Sequence, residues 1–143
     1  MPSLRKKRKS KLKGYKFWHK KLDALFSALI RSKGMCEWCG STTNQMNCSH
    51  VISRSNKTLR WDVFNAMCLC TYCHRFRWHD NPLEAQAWFQ EKFSGRYAYL
   101  MKAKDVHLDR LDGDFAKLEE AILNREIREL VTCPYLLENG YSV

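Results

Sequence analysis

The first clear hydrophobic pattern along the chain begins at Tyr15 and has the period of an α-helix. Apolar side chains recur every three or four residues and so form one stripe on a helix surface: Trp18, Leu22, Leu25, Phe26, Leu29 and Ile30. Gly34 can end this helix, because glycine readily adopts the left-handed conformation found after helix C-termini. The pattern predicts a helix over residues 15–33 whose apolar stripe packs into a core.

Residues 34–80 have weak helical periodicity and are rich in Cys, His, Asn, Ser and Trp. Within them, residues 46–52 and 66–70 are short apolar-containing runs that predict two strands, and the polar stretch between the runs predicts a long loop. A short helix is predicted from Thr71 to Trp78. The order strand, loop, strand, helix indicates an α+β fold with a small sheet.

The remaining residues, 81–143, return to a helical pattern. Asn81 is the predicted N-cap of a helix with proline at its first position, and Glu84 would complete a capping box. A last helix is predicted to begin at Asp112 and to be stopped by Pro134. We interpret this extension as ordinary helical packing, with a homodimer through these C-terminal helices as the alternative.

The charge of the chain is concentrated at one end. The net charge is +10, and residues 1–21 contain ten Lys or Arg and no acid, so fifteen residues of each sign remain in the other 122. We therefore expect residues 1–14 to form a basic arm, disordered without a partner, and residues 15–143 to form a single domain. Such an arm is typical of nucleic-acid binding, and a solubilising tail is the alternative. The basic residues assigned to DNA are Arg5, Lys6, Lys7, Arg8, Lys9, Lys11 and Lys13.

Membrane and secretory functions are not expected. No run approaches the roughly 18 uncharged apolar residues that a membrane span needs. The basic N-terminus is not followed by an apolar stretch with a small-residue cleavage site. We therefore expect a cytoplasmic protein with no membrane partner.

The seven cysteines indicate metal binding rather than disulfides, because their number is odd and no secretion signal is expected. Two Cys-x-x-Cys pairs stand out, formed by Cys36 with Cys39 and by Cys70 with Cys73. Two such knuckles supply four thiolates, which suit one tetrahedral, structural zinc ion per chain. A redox or iron–sulfur role is the alternative. Of the remaining cysteines, Cys48 and Cys68 are expected to be small buried residues. The sequence around Cys133 indicates no role for it.

Taken together, several motifs in this region resemble a known group of enzymes. They are Cys36-x-x-Cys39, Ser49-His50, Asn65 and Cys70-x-x-Cys73-His74. Over about residues 34–100 this arrangement resembles the zinc-supported HNH endonucleases of the ββα-metal fold, and in finer detail the phage NinG-type recombination nucleases. The resemblance implies a metal-dependent DNA endonuclease with a small HNH core, acting on branched recombination intermediates. It also implies the host-cell cytoplasm if the protein is phage-encoded.

The resemblance assigns catalytic roles to three residues. His50 is the candidate general base, since a neutral imidazole can take a proton from water near neutral pH. His74 would bind a catalytic Mg²⁺ or Mn²⁺ ion at the scissile phosphate. Asn65 would tie down the loop between the strands and so orient the base. The alternatives are a packed histidine or one that supports the zinc ligands for His50, a surface histidine or an alternative zinc ligand for His74, and an ordinary loop asparagine for Asn65.

Four further positions qualify this assignment. Arg54 and Arg60 either hold phosphates or pair with Asp62. Many HNH enzymes carry a metal-ligating Asp where this chain has Ser49, which puts the metal shell in doubt. His79 lies five residues after His74, a poor match to one helical face, so it would reach the ion only if the helix bends or ends at Trp78. A non-catalytic zinc-stabilised nucleic-acid-binding module remains the alternative function.

Overall fold

The computed structural model describes residues 14–137, so all of the predicted basic arm of residues 1–14 except Gly14, the first residue of the first helix, lies outside the described residues. Four α-helices, a two-stranded sheet and a π-helix make up the described chain. The α-helices are α1 (Gly14–Arg31), α2 (Pro82–Lys92), α3 (Ser94–Ala103) and α4 (Asp112–Leu123). The strands are β1 (Met46–His50) and β2 (Ala66–Cys70), and the π-helix is Cys73–His79. Short 3₁₀ turns occupy Val63–Asn65, Ile127–Leu130 and Pro134–Leu136. The α+β prediction is confirmed.

Helix α1 forms as its apolar stripe predicts. Its buried residues are Trp18, Leu22, Phe26, Leu29 and Ile30, and the helix packs against both strands and α4. At the α4 contact, the Trp18 ring stacks on Phe115 with centroids 5.6 Å apart, and its Nε1 donates to Asp112 Oδ1 at 2.9 Å. Gly34 has the predicted left-handed conformation, with φ of +69°, three residues after the helix ends.

The two strands form an antiparallel pair in which Cys48 lies opposite Cys68 and His50 opposite Ala66. Strand β2 has the predicted bounds, and all five of its residues are buried. Strand β1 ends two residues earlier than predicted. Its ladder stops because the side chain of Asn65 takes over both backbone groups of Ile52.

The helix after β2 is of a different type from the one predicted. Its residues Cys73–His79 form a π-helix, and the amide of Asp80 donates to the carbonyl of Arg75, five residues back, at 3.1 Å. This wider turn places side chains five residues apart on the same face, whereas an α-helix matches residues three or four apart.

The C-terminal helices are present but differ in detail. Asn81 occupies the N-cap position with Pro82 at the start of α2, as predicted, but its side chain makes no cap bond and instead donates Nδ2 to the carbonyl of Phe76 at 2.7 Å. The last predicted helix is also shorter: α4 ends at Leu123. Arg125 follows with a positive φ of 55°, which interrupts the helical backbone. Among residues 14–137, no helix is both long enough and apolar enough to cross a membrane.

Candidate functional site

Four cysteines converge as the two Cys-x-x-Cys motifs predict. The sulfur atoms of Cys36, Cys39, Cys70 and Cys73 all lie within 4.8 Å of one another. The Cys39 and Cys70 sulfurs are 3.8 Å apart. Tetrahedral zinc with Zn–S bonds of about 2.3 Å places its sulfur ligands about 3.8 Å from each other. The donor set and this spacing therefore fit a structural metal site such as one for zinc.

Backbone hydrogen bonds shape the first knuckle. Gly40 has φ of +74°, which lets the chain turn back so that its amide donates to the carbonyl of Cys36 at 2.9 Å. Burial opposes ionisation of the Cys36 thiol, but backbone amides of Cys39, Cys70 and Trp38 donate to it and together lower its pKa to about 7. The knuckle is thus organised to favour a thiolate, the form that binds metal.

A second cluster, made of histidines, lines a cavity of about 570 Å³. It brings together three of the chain's histidines, His50 from the end of β1 and His74 and His79 from the π-helix. Arg54 and Cys48 also line it, and α1 supplies one wall. The residues that α1 contributes are Asp23, Phe26 and Ser27.

His50 is held in a defined orientation at one side of this cavity. Its Nε2 lies 2.9 Å from the backbone carbonyl oxygen of Arg60. Because a carbonyl oxygen only accepts, Nε2 carries the proton and Nδ1 keeps the free lone pair. Burial lowers the pKa of His50 below its ordinary value, although the bond to Arg60 opposes that shift. The imidazole is therefore neutral near pH 7, with Nδ1 able to accept a proton.

His74 and His79 point at each other across one turn of the π-helix, with their Nε2 atoms 2.9 Å apart. The expectation that a five-residue spacing fits one helical face poorly is wrong here, because it assumed an α-helix. Burial, and then the neighbouring His79, lower the pKa of His74. Two imidazole nitrogens facing one point are suitable ligands for a divalent transition-metal ion.

Asn65 is fully buried and joins the two ends of the loop between the strands. Its Oδ1 accepts from the Ile52 amide at 2.7 Å, and its Nδ2 donates to the Ile52 and Leu59 carbonyls at 3.0 and 3.1 Å. The amide side chain thus acts as donor and acceptor at once. It does so at Ile52, two residues after His50, the last residue of β1. This contact pattern fixes the loop that carries the carbonyl of Arg60.

The two candidate phosphate-binding arginines differ in their surroundings. Arg60 donates Nε and Nη2 to the two carboxylate oxygens of Asp23 at 2.9 and 2.5 Å, and its side chain is only 15% exposed. Arg54 is 58% exposed, and its Nη1 lies 3.7 Å from Asp23. The predicted pairing with Asp62 is wrong. Asp62 is buried and accepts instead from the Tyr99 hydroxyl and the amides of Phe64 and Thr132.

Ser49, at the position of the metal-ligating Asp in many HNH enzymes, lies away from the cavity. Alternation along β1 directs it to the face opposite Cys48 and His50. It is 1% exposed, and its Oγ has no hydrogen-bond partner within residues 14–137. Its side chain is therefore not among the groups that could hold an ion in the cavity.

Sequence reasoning missed Asp23, the residue that links α1 to this site. One feature of the sequence could have indicated it. Asp23 is the first acidic residue of the chain and the one acid within Gly14–Arg31, where it lies next to the apolar stripe. Its partners Arg60 and Trp61 lie 37 and 38 residues away along the chain. No local spacing rule connects positions so far apart.

Comparisons with protein-family models, with curated proteins and with solved structures found no match to this chain.

Proposed function

We propose that this protein is a metal-dependent DNA endonuclease of the HNH type. The observation that carries the proposal is the shared cavity of His50, His74 and His79, in which His74 directly follows the cluster residue Cys73 along the chain. The HNH resemblance gives these positions the chemistry of phosphodiester hydrolysis. The cavity is consistent with it, because a base and a pair of metal-type ligands face the same space.

In this proposal His50 is the general base. Nδ1 takes a proton from the water that attacks phosphorus, while Nε2 stays bonded to the Arg60 carbonyl. The lowered pKa of His50 keeps the imidazole neutral at physiological pH, which a base requires. The phosphorus–oxygen bond to the leaving group then breaks, and that oxygen gains a proton from solvent.

His74 and His79 are the residues that would hold the catalytic divalent ion. Such an ion supplies charge stabilisation at the scissile phosphate. The imidazole donors favour Mn²⁺ or a later first-row ion over Mg²⁺, which prefers oxygen ligands. Since Ser49 faces the opposite side of β1, the protein's ligands would be the two histidines, with water or substrate oxygens completing the shell.

The cysteine cluster would carry one structural zinc ion per chain. Four protein ligands leave no open coordination position, so this ion would hold the fold together rather than take part in hydrolysis. Its position explains how a small sheet and a short π-helix are kept in place: Cys70 ends β2 and Cys73 begins the π-helix.

The exposed Arg54 at the cavity wall is the proposed phosphate contact near the reaction centre. Arg60 is already engaged by Asp23 and by the Arg54 carbonyl, which its Nη1 reaches at 3.0 Å. The basic residues of the arm would add sequence-independent affinity for the DNA backbone by releasing counterions. Branched recombination intermediates are the proposed substrate class, on the NinG-type resemblance alone.

A cleavage assay tests the proposal. Duplex, single-stranded, flap and four-way DNA are incubated with the protein in Mg²⁺, Mn²⁺, Zn²⁺ or EDTA. We expect cleavage that needs an added ion and stops in EDTA, with the four-way or flap substrate preferred. Binding of these DNAs without cleavage under any ion would favour the non-catalytic nucleic-acid-binding module instead.

A further inference from the structure

The carbonyl group that holds His50 belongs to the peptide between Arg60 and Trp61. Both side chains that flank this peptide are bound to the same carboxylate on α1. Arg60 forms a two-bond contact with Asp23, and the Trp61 Nε1 donates to Asp23 Oδ1 at 2.9 Å. One side chain from another part of the chain thus fixes the peptide on both sides.

The surroundings of Asp23 suit such a task. Its side chain is 24% exposed, and that of Arg60 is 15% exposed, so water competes little for their contact. Burial opposes ionisation of Asp23, but the bonds from Arg60 and Trp61 outweigh it and hold the pKa of Asp23 below its ordinary value. Trp61 itself is fully buried and packs edge-on against Phe115 of α4, with ring centroids 5.8 Å apart. The anchor is therefore charged at neutral pH and rigid.

We propose that Asp23 is a positioning residue of the nuclease site: by clamping Arg60 and Trp61, it fixes the carbonyl that orients His50. This inference rests on the proposed function, since it assigns Asp23 a task within that site. Asp23 acts on His50 through Arg60 and Trp61, and it also lines the cavity, 3.7 Å from Arg54. Helix α1 then belongs to the reaction centre, although it lies outside residues 34–100, where the HNH resemblance is found.

The proposal predicts two measurable properties of His50. With the carbonyl fixed, His50 occupies the single tautomer that carries the proton on Nε2, and Nδ1 is free for catalysis. Without Asp23 the peptide gains freedom, so both tautomers become populated and the attacking water loses its aligned base. A displacement of about 1 Å in a reacting group can cost about 10²-fold in rate.

The experiment compares Asp23→Ala and Asp23→Asn with a matched control. Asp112→Asn serves as the control, because Asp112 also accepts a hydrogen bond from a tryptophan of α1, at the end of that helix near α4. Zinc content and circular dichroism first establish that each variant is folded. Nitrogen and carbon NMR shifts of the imidazole then report the His50 tautomer, assigned by the loss of its signals in His50→Ala. Single-turnover cleavage gives the rate and the apparent affinity for DNA separately.

We expect Asp23→Ala to populate both tautomers and to lower the single-turnover cleavage rate at saturating DNA about 10–100-fold. Asp23→Asn should fall between Asp23→Ala and the unaltered protein, because the amide keeps one acceptor oxygen. Asp112→Asn should leave tautomer and rate unchanged. The NMR measurement needs no activity: if the unaltered protein cleaves nothing, the proposed function fails while the positioning test still gives an answer. A single unchanged tautomer and an unchanged rate in both folded Asp23 variants would overturn the proposal.

Discussion

The four-cysteine cluster and the histidine cavity are neighbours on one π-helix, yet they are built in opposite ways. Cys73 and His74 are adjacent residues of that helix. The cluster takes its four sulfur atoms from two motifs of four residues each, residues 36–39 and 70–73. The cavity is assembled from α1, the end of β1, the loop after it and the π-helix. A cluster built from two short motifs is therefore followed along the chain by a cavity that depends on many distant contacts.

The cysteine cluster and the histidine cavity therefore have different tasks in the molecule. The cluster joins the end of β2 and the start of the π-helix to the knuckle after α1, so it organises the backbone. The cavity depends on side-chain orientation, through the bonds of His50 to Arg60 and of Asn65 to Ile52. We expect changes in the cluster to act on folding, and changes in the cavity to act on catalysis.

The largest effect is expected from breaking the cluster. Cys70→Ser should abolish stoichiometric zinc binding and unfold the region between the knuckles, because a structural site contributes its metal-binding free energy to folding. Cys48→Ser is the matched control, since Cys48 lies on the same sheet but outside the cluster. Elemental analysis and thermal unfolding measure both. A zinc-free Cys70→Ser protein as stable as Cys48→Ser would show that the cluster does not hold the fold.

Asn65 belongs to neither the cluster nor the cavity lining, and its replacement should affect stability first. Asn65→Ala removes the partners of the Ile52 amide, the Ile52 carbonyl and the Leu59 carbonyl, and we expect a loss of about 2–5 kcal/mol in unfolding free energy. Denaturant unfolding measures it. Asn47→Ala, which removes an exposed bond to Thr71, should change stability by less than about 0.5 kcal/mol. Equal losses in the two variants would contradict the proposed role of Asn65 in fixing the loop.

The cavity histidines of the π-helix should change the metal requirement rather than the fold. His74→Ala and His79→Ala should each raise the Mn²⁺ concentration for half-maximal cleavage about 10–100-fold, and excess Mn²⁺ should restore part of the rate. His107→Ala is the control, because His107 is largely exposed and pairs with Asp109. If His79→Ala responds like His107→Ala while His74→Ala does not, His79 is not a ligand.

The pH dependence sharpens the contrast further, because it depends on the base and not on the cluster. His50 must be neutral to act as the proposed base, and burial holds its pKa below the ordinary value for histidine, so cleavage should persist to a lower pH than an ordinary histidine would allow. Below that pKa the rate should fall about tenfold per pH unit. Saturating Mn²⁺ during the measurement limits proton competition at the other cavity histidines. The charged and titratable groups facing His50 are Asp23, Arg54, Arg60, His74 and His79. A flat profile from pH 8 to pH 4 would contradict a histidine base.

Features encoded by local spacing were predictable from the sequence. The apolar stripe of α1 identified the helix, and the two Cys-x-x-Cys motifs identified the cluster, because each signal is contained within one or two short segments. The bounds of β2 also followed from a continuous apolar run. In these regions the local side-chain pattern alone is enough to specify the structure that forms.

Features that depend on tertiary contacts were not predictable. The hydrogen bonds of the π-helix span five residues rather than the four of the predicted helix, and this wider turn brings His79 to His74. The exposed position of Leu83 and the burial of Ala85 and Phe89 on α2 depend on how that helix packs after the π-helix. The salt bridge between Asp23 and Arg60 joins separate segments, so neither residue alone indicates it.

The most direct test of the proposed nuclease is the cleavage rate of His50→Ala on the preferred DNA substrate with saturating Mn²⁺. The account predicts a fall of about 10²–10⁴-fold, the usual contribution of a general base, which added metal does not restore. Zinc content, fold and DNA affinity should stay unchanged. A folded, zinc-loaded His50→Ala protein that cleaves at the unaltered rate would contradict the assignment of this cavity as the HNH site.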